Sequence, residues 1–161
     1  MITPAGIHAL LPHRYPMLLV DRVLSVDDDG IRSVKAVTLN EPWYARLGPS
    51  PAVADFAYPD FLLIESWTQT AGLLALHQDA GRADDRTMLF GSLRDVRFHR
   101  QVFPGEVVEH HARLQRAVDE TVIFEGGSRV GDDPVLTVGA ITVAFRPQER
   151  LDPRHAGAAS G

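Results

Sequence analysis

Residues 59–76 read Pro-Asp-Phe-Leu-Leu-Ile-Glu-Ser-Trp-Thr-Gln-Thr-Ala-Gly-Leu-Leu-Ala-Leu, apolar on nearly every face of a helix. A helix apolar all round is one that the rest of the chain buries. This one is too short and too interrupted to span a bilayer. It predicts a central buried helix from Pro59 to Ala80, with Gly81 as its C-cap. Upstream, Thr3–Leu11 predicts a short amphipathic helix, with Thr3 as N-cap and Pro4 at the first helical position. Leu11–Pro16 is stiffened by two prolines. Met17–Val26 and Ile31–Leu39 predict two strands, closed into a hairpin by Asp27-Asp28-Asp29-Gly30. Between Asn40 and Tyr58 the period disappears, and Pro42, Gly48, Pro49 and Pro51 mark a loop. Its Trp43, Tyr44, Phe56 and Tyr58 are more aromatic surface than a solvated loop needs, so a substrate-facing lid is expected.

After a polar connection at Arg82–Arg86 the alternation is that of strands: Thr87–Arg100, Glu106–Ala117, Thr121–Val130 and Val135–Phe145. Phe103-Pro104-Gly105, Asp119-Glu120 and Gly131-Asp132-Asp133-Pro134 are the turns between them. Short connections between consecutive strands imply an antiparallel sheet. One long buried helix among such strands has an economical solution, an α+β fold in which the curved sheet wraps the helix. That is a hot-dog arrangement. Residues 1–147 are expected to form one such domain, and residues 148–161 a flexible tail.

Composition narrows the function classes. A formal charge of -5 argues against a nucleic-acid role. The absence of cysteine removes disulfides, thiolate metal sites and thiol nucleophiles. The N-terminus lacks a basic region followed by an apolar core, so no signal peptide and a cytoplasmic setting are expected. His110 and His111 are adjacent on a strand and point to opposite faces, so they cannot chelate one ion together. Asp27–Gly30 lacks the downstream ligands of a calcium loop, and no metal site is expected. Neither a Gly-rich phosphate loop nor a serine elbow is present.

Two polar residues stand out within the central helix. Glu65 and Gln69 lie four apart and share a face. A carboxyl in apolar surroundings is costly unless paired or hydrogen-bonded, which makes Glu65 a candidate site residue and Gln69 its support. Trp43, Phe61 and Trp67 are the aromatic candidates for substrate contact. Arg94, Arg97 and Arg100 form a basic cluster at a sheet edge, suited to an acidic partner or a phosphate. His13, in its proline-bracketed turn, is expected to hydrogen-bond locally, and His99 to face solvent.

These residues carry a resemblance. Leu10-Leu11-Pro12-His13-Arg14-Tyr15-Pro16-Met17-Leu18-Leu19-Val20-Asp21-Arg22-Val23 is similar to the opening of the hot-dog 3-hydroxyacyl-(acyl carrier protein) dehydratases, and Asn40-Glu41-Pro42 continues it. Leu62-Leu63-Ile64-Glu65 through Gln69-Thr70-Ala71-Gly72 resembles that family's helix, and Phe98–Glu106 its following strand and turn. The resemblance runs from residue 7 to residue 147 in unbroken order. It implies a dimer assembled through its sheet, an acyl carrier protein as partner, and a substrate carried on phosphopantetheine with no other cofactor. It implies that the Glu65 carboxyl is catalytic and that backbone N–H groups at the helix start polarise the thioester carbonyl.

One part of the pattern is missing. The family's loop reads His-Phe-Pro-Gly after Asn-Glu-Pro, and the resemblance makes that histidine the base. Here counting forward from Asn40 puts Leu47 at its place, and counting back from Glu65 puts Pro51 there. The helix-start glycine has become Asp60. Dehydration needs a base for the C2 proton and an acid for the C3 hydroxyl. Three readings follow. Tyr44, Asp55, Tyr58 or Asp60 replaces the base; or a histidine-bearing dehydratase paralogue completes a heterodimer around Glu65; or Glu65 alone activates water in an acyl thioesterase. For the dehydratase the implied setting is fatty-acid or polyketide biosynthesis.

Overall fold

A computed structural model describes residues 2–78 and 86–147 of the chain. The expected C-cap at Gly81, the polar connection and the tail from residue 148 lie outside the described residues. The opening helix α1 spans Pro4–Leu10, and Thr3 Oγ1 accepts from the Gly6 amide at 3.2 Å as its cap. β1 (Arg22–Val26) and β2 (Gly30–Ala36) form the hairpin, closed by Asp27 Oδ1 accepting from the amides of Asp29 and Gly30. The central helix α2 runs Asp60–Gln78. β3 (Arg86–Phe98), β4 (Val107–Val118), β5 (Thr121–Val130) and β6 (Asp133–Pro147) complete one antiparallel sheet in the order β1-β2-β4-β5-β6-β3.

Six strands wrap a single helix only if the sheet curves. Register breaks at Val23/Ser25, Phe90/Leu93, Leu114/Arg116, Phe124/Gly126 and Ser128/Arg129 supply the bends, because a bulge kinks its strand and increases local twist. At the β5 bend the strands approach closely: a Cβ on Gly126 would lie 2.1 Å from the His111 carbonyl oxygen.

The strand expected over Met17–Val26 begins only at Arg22. The physical reason lies in α2. Gln69 Oε1 accepts from the Leu19 amide at 2.9 Å and Gln69 Nε2 donates to the Met17 carbonyl at 2.7 Å, so a side chain takes the place of a neighbouring strand. The second strand ends at Ala36 rather than Leu39, and the loop from Asn40 to Tyr58 holds two short 3-10 turns, Pro42–Arg46 and Val53–Phe56.

The sheet's inner face buries Ile31, Val108, Ala112, Phe124, Leu136 and Val143 against Leu63, Trp67, Leu73 and Leu74 of α2. A polar row runs through this core and is satisfied throughout. Ser33 and Thr70 share a 2.7 Å hydrogen bond, and His110 lies between Ser66 Oγ (2.9 Å) and Ser128 Oγ (2.7 Å). His111 faces outward from the next position, as strand alternation requires. No described helix is long and apolar enough to cross a membrane.

Burial, aided by His111 and Lys35, pushes the His110 imidazole down from 6.5 to about 3. Between those values the unfolded chain takes a proton that the folded protein refuses, so stability is intact above pH 6.5 and falls as pH drops toward 3. Denaturant titrations across this window are expected to show a loss approaching about 1.4 kcal/mol per pH unit from this group, absent in His110→Gln.

Candidate active site

Glu65 sits on the face of α2 that meets the segment 13–19. Gln69 Nε2 donates to its Oε1 at 2.9 Å, and His13 Nε2 lies 3.2 Å from the same oxygen. The Gln69 amide is thereby fully used. Its oxygen must face the Leu19 N–H, which turns both amide protons toward the Met17 carbonyl and Glu65. Glu65 Oε2 has no contact among the described residues, and the side chain is 31% exposed. One oxygen is held and the other is presented.

His13 is the residue that sequence reasoning misplaced. Its proline-bracketed turn predicts a local hydrogen bond, but its ring reaches across to α2. The turn is braced without it: Arg14 Nη1 donates to the carbonyls of Leu11 and His13, both at 2.7 Å. A contact between residues so far apart in the chain leaves no periodic signal. The signal available was an imidazole one turn before the Met17–Leu19 segment that Gln69 grips.

Beside this cluster lies a cavity of about 520 Å³ lined by Met17, Leu19, Trp43, Leu47, Phe61 and Leu62, with Glu41, Arg46 and Asp55 as its charged groups. Met17 belongs to both, since its carbonyl holds Gln69 while the residue lines the cavity. Phe61 lies one helical turn before Glu65 and meets Trp43 edge-to-face at 5.3 Å between centroids. Lys35 fixes the loop's start: its buried Nζ donates to Glu41 Oε1 at 2.7 Å.

Of the four loop residues weighed as a replacement base, only Asp55 lines this cavity, and its Oδ2 accepts from the Ala52 amide at 2.8 Å. Tyr44 donates its hydroxyl to the Phe56 carbonyl, and burial with Glu41 nearby pushes the phenol up. Tyr58 is 2% exposed and pushed up further by burial. A phenol must lose its proton to act as a base, so both environments oppose the role. Asp60 is exposed in the first turn of α2, away from the cavity lining.

Trp67, expected at the substrate, is 0% exposed in the core and donates Nε1 to the His111 carbonyl. It supports the helix instead. Arg94 and Arg97 are exposed on β3, whereas Arg100 is held by both oxygens of Glu106 at 3.0 and 3.2 Å. Among the described residues no group of three or more metal-ligating side chains comes together.

At the helix start, the amides of Leu62 and Leu63 both donate to the Pro59 carbonyl, while those of Asp60 and Phe61 have no partner among the described residues. Free N–H groups at a helix N-terminus suit an oxygen that gains negative charge.

Replacing Gln69 with Met keeps the volume and removes all three of its hydrogen bonds, leaving the buried Leu19 amide and the part-buried Met17 carbonyl unpaired. A loss of about 2–4 kcal/mol in denaturant unfolding is expected, against less than about 1 kcal/mol for Glu65→Gln.

Comparison with known proteins agrees with this geometry. Residues 11–138 match the FabA-like domain family. The 3-hydroxyacyl-(acyl-carrier-protein) dehydratase FabZ of Streptococcus equi subsp. zooepidemicus strain MGCS10565 is 35% identical over 86% of this chain and 94% of its own. The FabZ of Streptococcus pneumoniae strain Hungary19A-6 is 35% identical over 90% and 99%. Among solved structures, the dehydratase heterocomplex ApeI:P from Xenorhabdus doucetiae shares the fold with a TM-score of 0.73 at 22% identity, covering 90% of this chain and 93% of that one. With its sheet wrapped about α2 and Glu65 held on the helix face, the chain belongs to the FabA-like, 3-hydroxyacyl-(acyl-carrier-protein) dehydratase family.

Proposed function

We propose that the protein eliminates water from 3-hydroxyacyl thioesters carried on an acyl carrier protein, giving the 2-enoyl product. The observation that carries this reading is the presentation of Glu65 Oε2, with Oε1 held by Gln69 and approached by His13, near a cavity walled by Met17, Trp43 and Phe61. The reaction breaks a C–H bond at C2 and a C–O bond at C3, and a fixed carboxyl one helical turn from Phe61 of the cavity wall suits proton transfer to or from those atoms. The free amides of Asp60 and Phe61 suit the thioester oxygen, whose negative charge grows as the C2 proton leaves. Trp43, Phe61 and Met17 would form walls of the acyl site. The pantetheine-borne substrate brings no further cofactor requirement.

Assembly as a dimer is supported by β3. It pairs with β6 on one side, has no strand on its other edge among the described residues, and exposes Leu89, Phe90 and Leu93. A free, apolar edge is a template for pairing with another chain. Arg94 and Arg97 on the same strand are the cations available to an acidic carrier protein. Arg100 is neutralised by Glu106.

A second reading has its own support: residues 14–76 contain no histidine, so the loop before α2 brings no imidazole to Glu65. In that reading a histidine-bearing paralogue supplies the base across a heterodimer. The Xenorhabdus doucetiae dehydratase that shares this fold is itself a heterocomplex.

The deciding experiment is a dehydration assay on 3-hydroxyacyl-carrier protein. Turnover by the purified protein, reduced at least about 1000-fold by Glu65→Gln, supports the autonomous enzyme. Turnover only after adding a histidine-bearing paralogue supports the heterodimer. Release of free acid instead of enoyl product means thioester hydrolysis and overturns both.

A further inference from the structure

Resting on the dehydratase reading, the geometry points to a role for His13: we propose that His13 is a positioning residue that, with Gln69, locks Oε1 of Glu65 so that Oε2 alone performs both proton transfers.

Three observations converge on it. First, both contacts to Glu65 fall on one oxygen, Gln69 Nε2 at 2.9 Å and His13 Nε2 at 3.2 Å, and Oε2 carries none among the described residues. Contacts confined to one oxygen leave the other with both of its lone pairs for substrate. Second, the His13 ring reveals its tautomer. Nδ1 is buried without a hydrogen-bond partner. A neutral imidazole carries its proton on one nitrogen. Buried N–H groups without an acceptor are rarer than buried lone pairs without a donor, which puts the proton on Nε2, directed at Glu65. His13 therefore turns Nε2 toward the carboxylate at 3.2 Å, and its Nδ1 lone pair is buried. Third, the sequence holds no other histidine between residues 9 and 76, so the imidazole in contact with Glu65 comes from the opening turn and not from the lid.

With the Nδ1 lone pair of His13 buried and Asp55 already accepting from the Ala52 amide, the Glu65 carboxyl is the group left to act as base. Oε2 takes the proton from C2, and the electron pair of that C–H bond becomes the C2–C3 double bond. The C3–O bond breaks, and the departing hydroxyl takes the proton back from Oε2–H and leaves as water. Glu65 ends as the carboxylate it began as, and no further reactant enters. The geometry requires the C2 hydrogen and the C3 hydroxyl to lie on one face of the substrate, toward Oε2.

The test separates a donor from a base. His13→Ala and His13→Gln are assayed on 3-hydroxyacyl-carrier protein beside the wild type, with melting curves as the folding control. A positioning donor predicts a fall in kcat of about 10- to 100-fold in His13→Ala, the range of one hydrogen bond to a charged group, with KM within about twofold. It predicts recovery to within about fivefold of the wild type in His13→Gln, whose amide donates but does not titrate. An unchanged kcat in His13→Ala overturns the proposal. So does a His13→Gln as poor as His13→Ala, because then the imidazole itself moves a proton. Nitrogen-15 spectra of the histidines need no change at position 13: His13 is expected as the Nε2–H tautomer, with that preference lost in Glu65→Gln. A wild type active only with a histidine-bearing partner overturns the single-carboxyl mechanism while the dehydratase reading stands. A wild type inactive in every pairing overturns the dehydratase reading itself.

Discussion

The buried carboxamide of Gln69 is the interaction on which the site depends. It is 0% exposed, and an amide in that position is tolerable only when its oxygen and both protons are engaged. The Leu19 amide, the Met17 carbonyl and Glu65 engage them, each from a different direction. The same three bonds decide where β1 begins, where the segment 13–19 lies against α2, and which oxygen of Glu65 is held. Fold and chemistry are therefore coupled through a single side chain: what secures the segment to the helix also aims the carboxyl.

A second set of polar bonds fixes the helix against the sheet. Ser66, Thr70, Ser33, His110 and Ser128 are buried between α2, β2, β4 and β5 and satisfy one another. An apolar helix surrounded by apolar strands has many near-equivalent rotations. A satisfied polar row has few, because turning the helix by one residue would strand several donors at once. That constraint holds Glu65 toward residues 13–19 and Trp67 toward the β4 backbone, where its indole finds the His111 carbonyl.

Much of this was legible in the sequence. The helix announced itself by being apolar on all faces, the hairpin by its Asp-rich turn, and the later strands by alternation between short turns; these are local signals, and the antiparallel sheet around a helix follows from them. Glu65 and Gln69 were legible as polar exceptions four residues apart. Three things were not. The late start of the first strand depends on Gln69, which lies far along the chain. Trp67 reads like any aromatic near a site, and only packing shows that it is core. His13 carries no pattern of its own, and its meaning comes from the chain crossing that sets it beside Glu65.

That crossing bears on why the carboxyl is there. A fold that needed only to close the gap between α2 and residues 17–19 would be served by Gln69 with any acceptor for its second proton, and a backbone carbonyl or water would suffice. A carboxylate is a more demanding choice. It brings a charge to a helix face beside apolar surroundings, and one of its oxygens is left without a partner while the other takes two. Two structural carboxylates of this chain use both oxygens, Glu106 on Arg100 and the Phe103 amide and Glu125 on Arg113 and Gln115, whereas Glu109, like Glu65, takes its contacts on Oε1 alone. Burial pushes Glu106 up, but Arg100 and the Phe103 amide outweigh it and leave that carboxyl below its usual range. Arg113 does the same for Glu125, and neither residue leaves an oxygen idle. Glu65 is anchored at one end and open at the other, and it differs from Glu109, whose Oε1 is held by Arg32 and Arg129, in having no arginine paired with it among the described residues. The loop before α2 carries no histidine, and the held carboxyl on the helix is the group on which the proposed proton transfers rest.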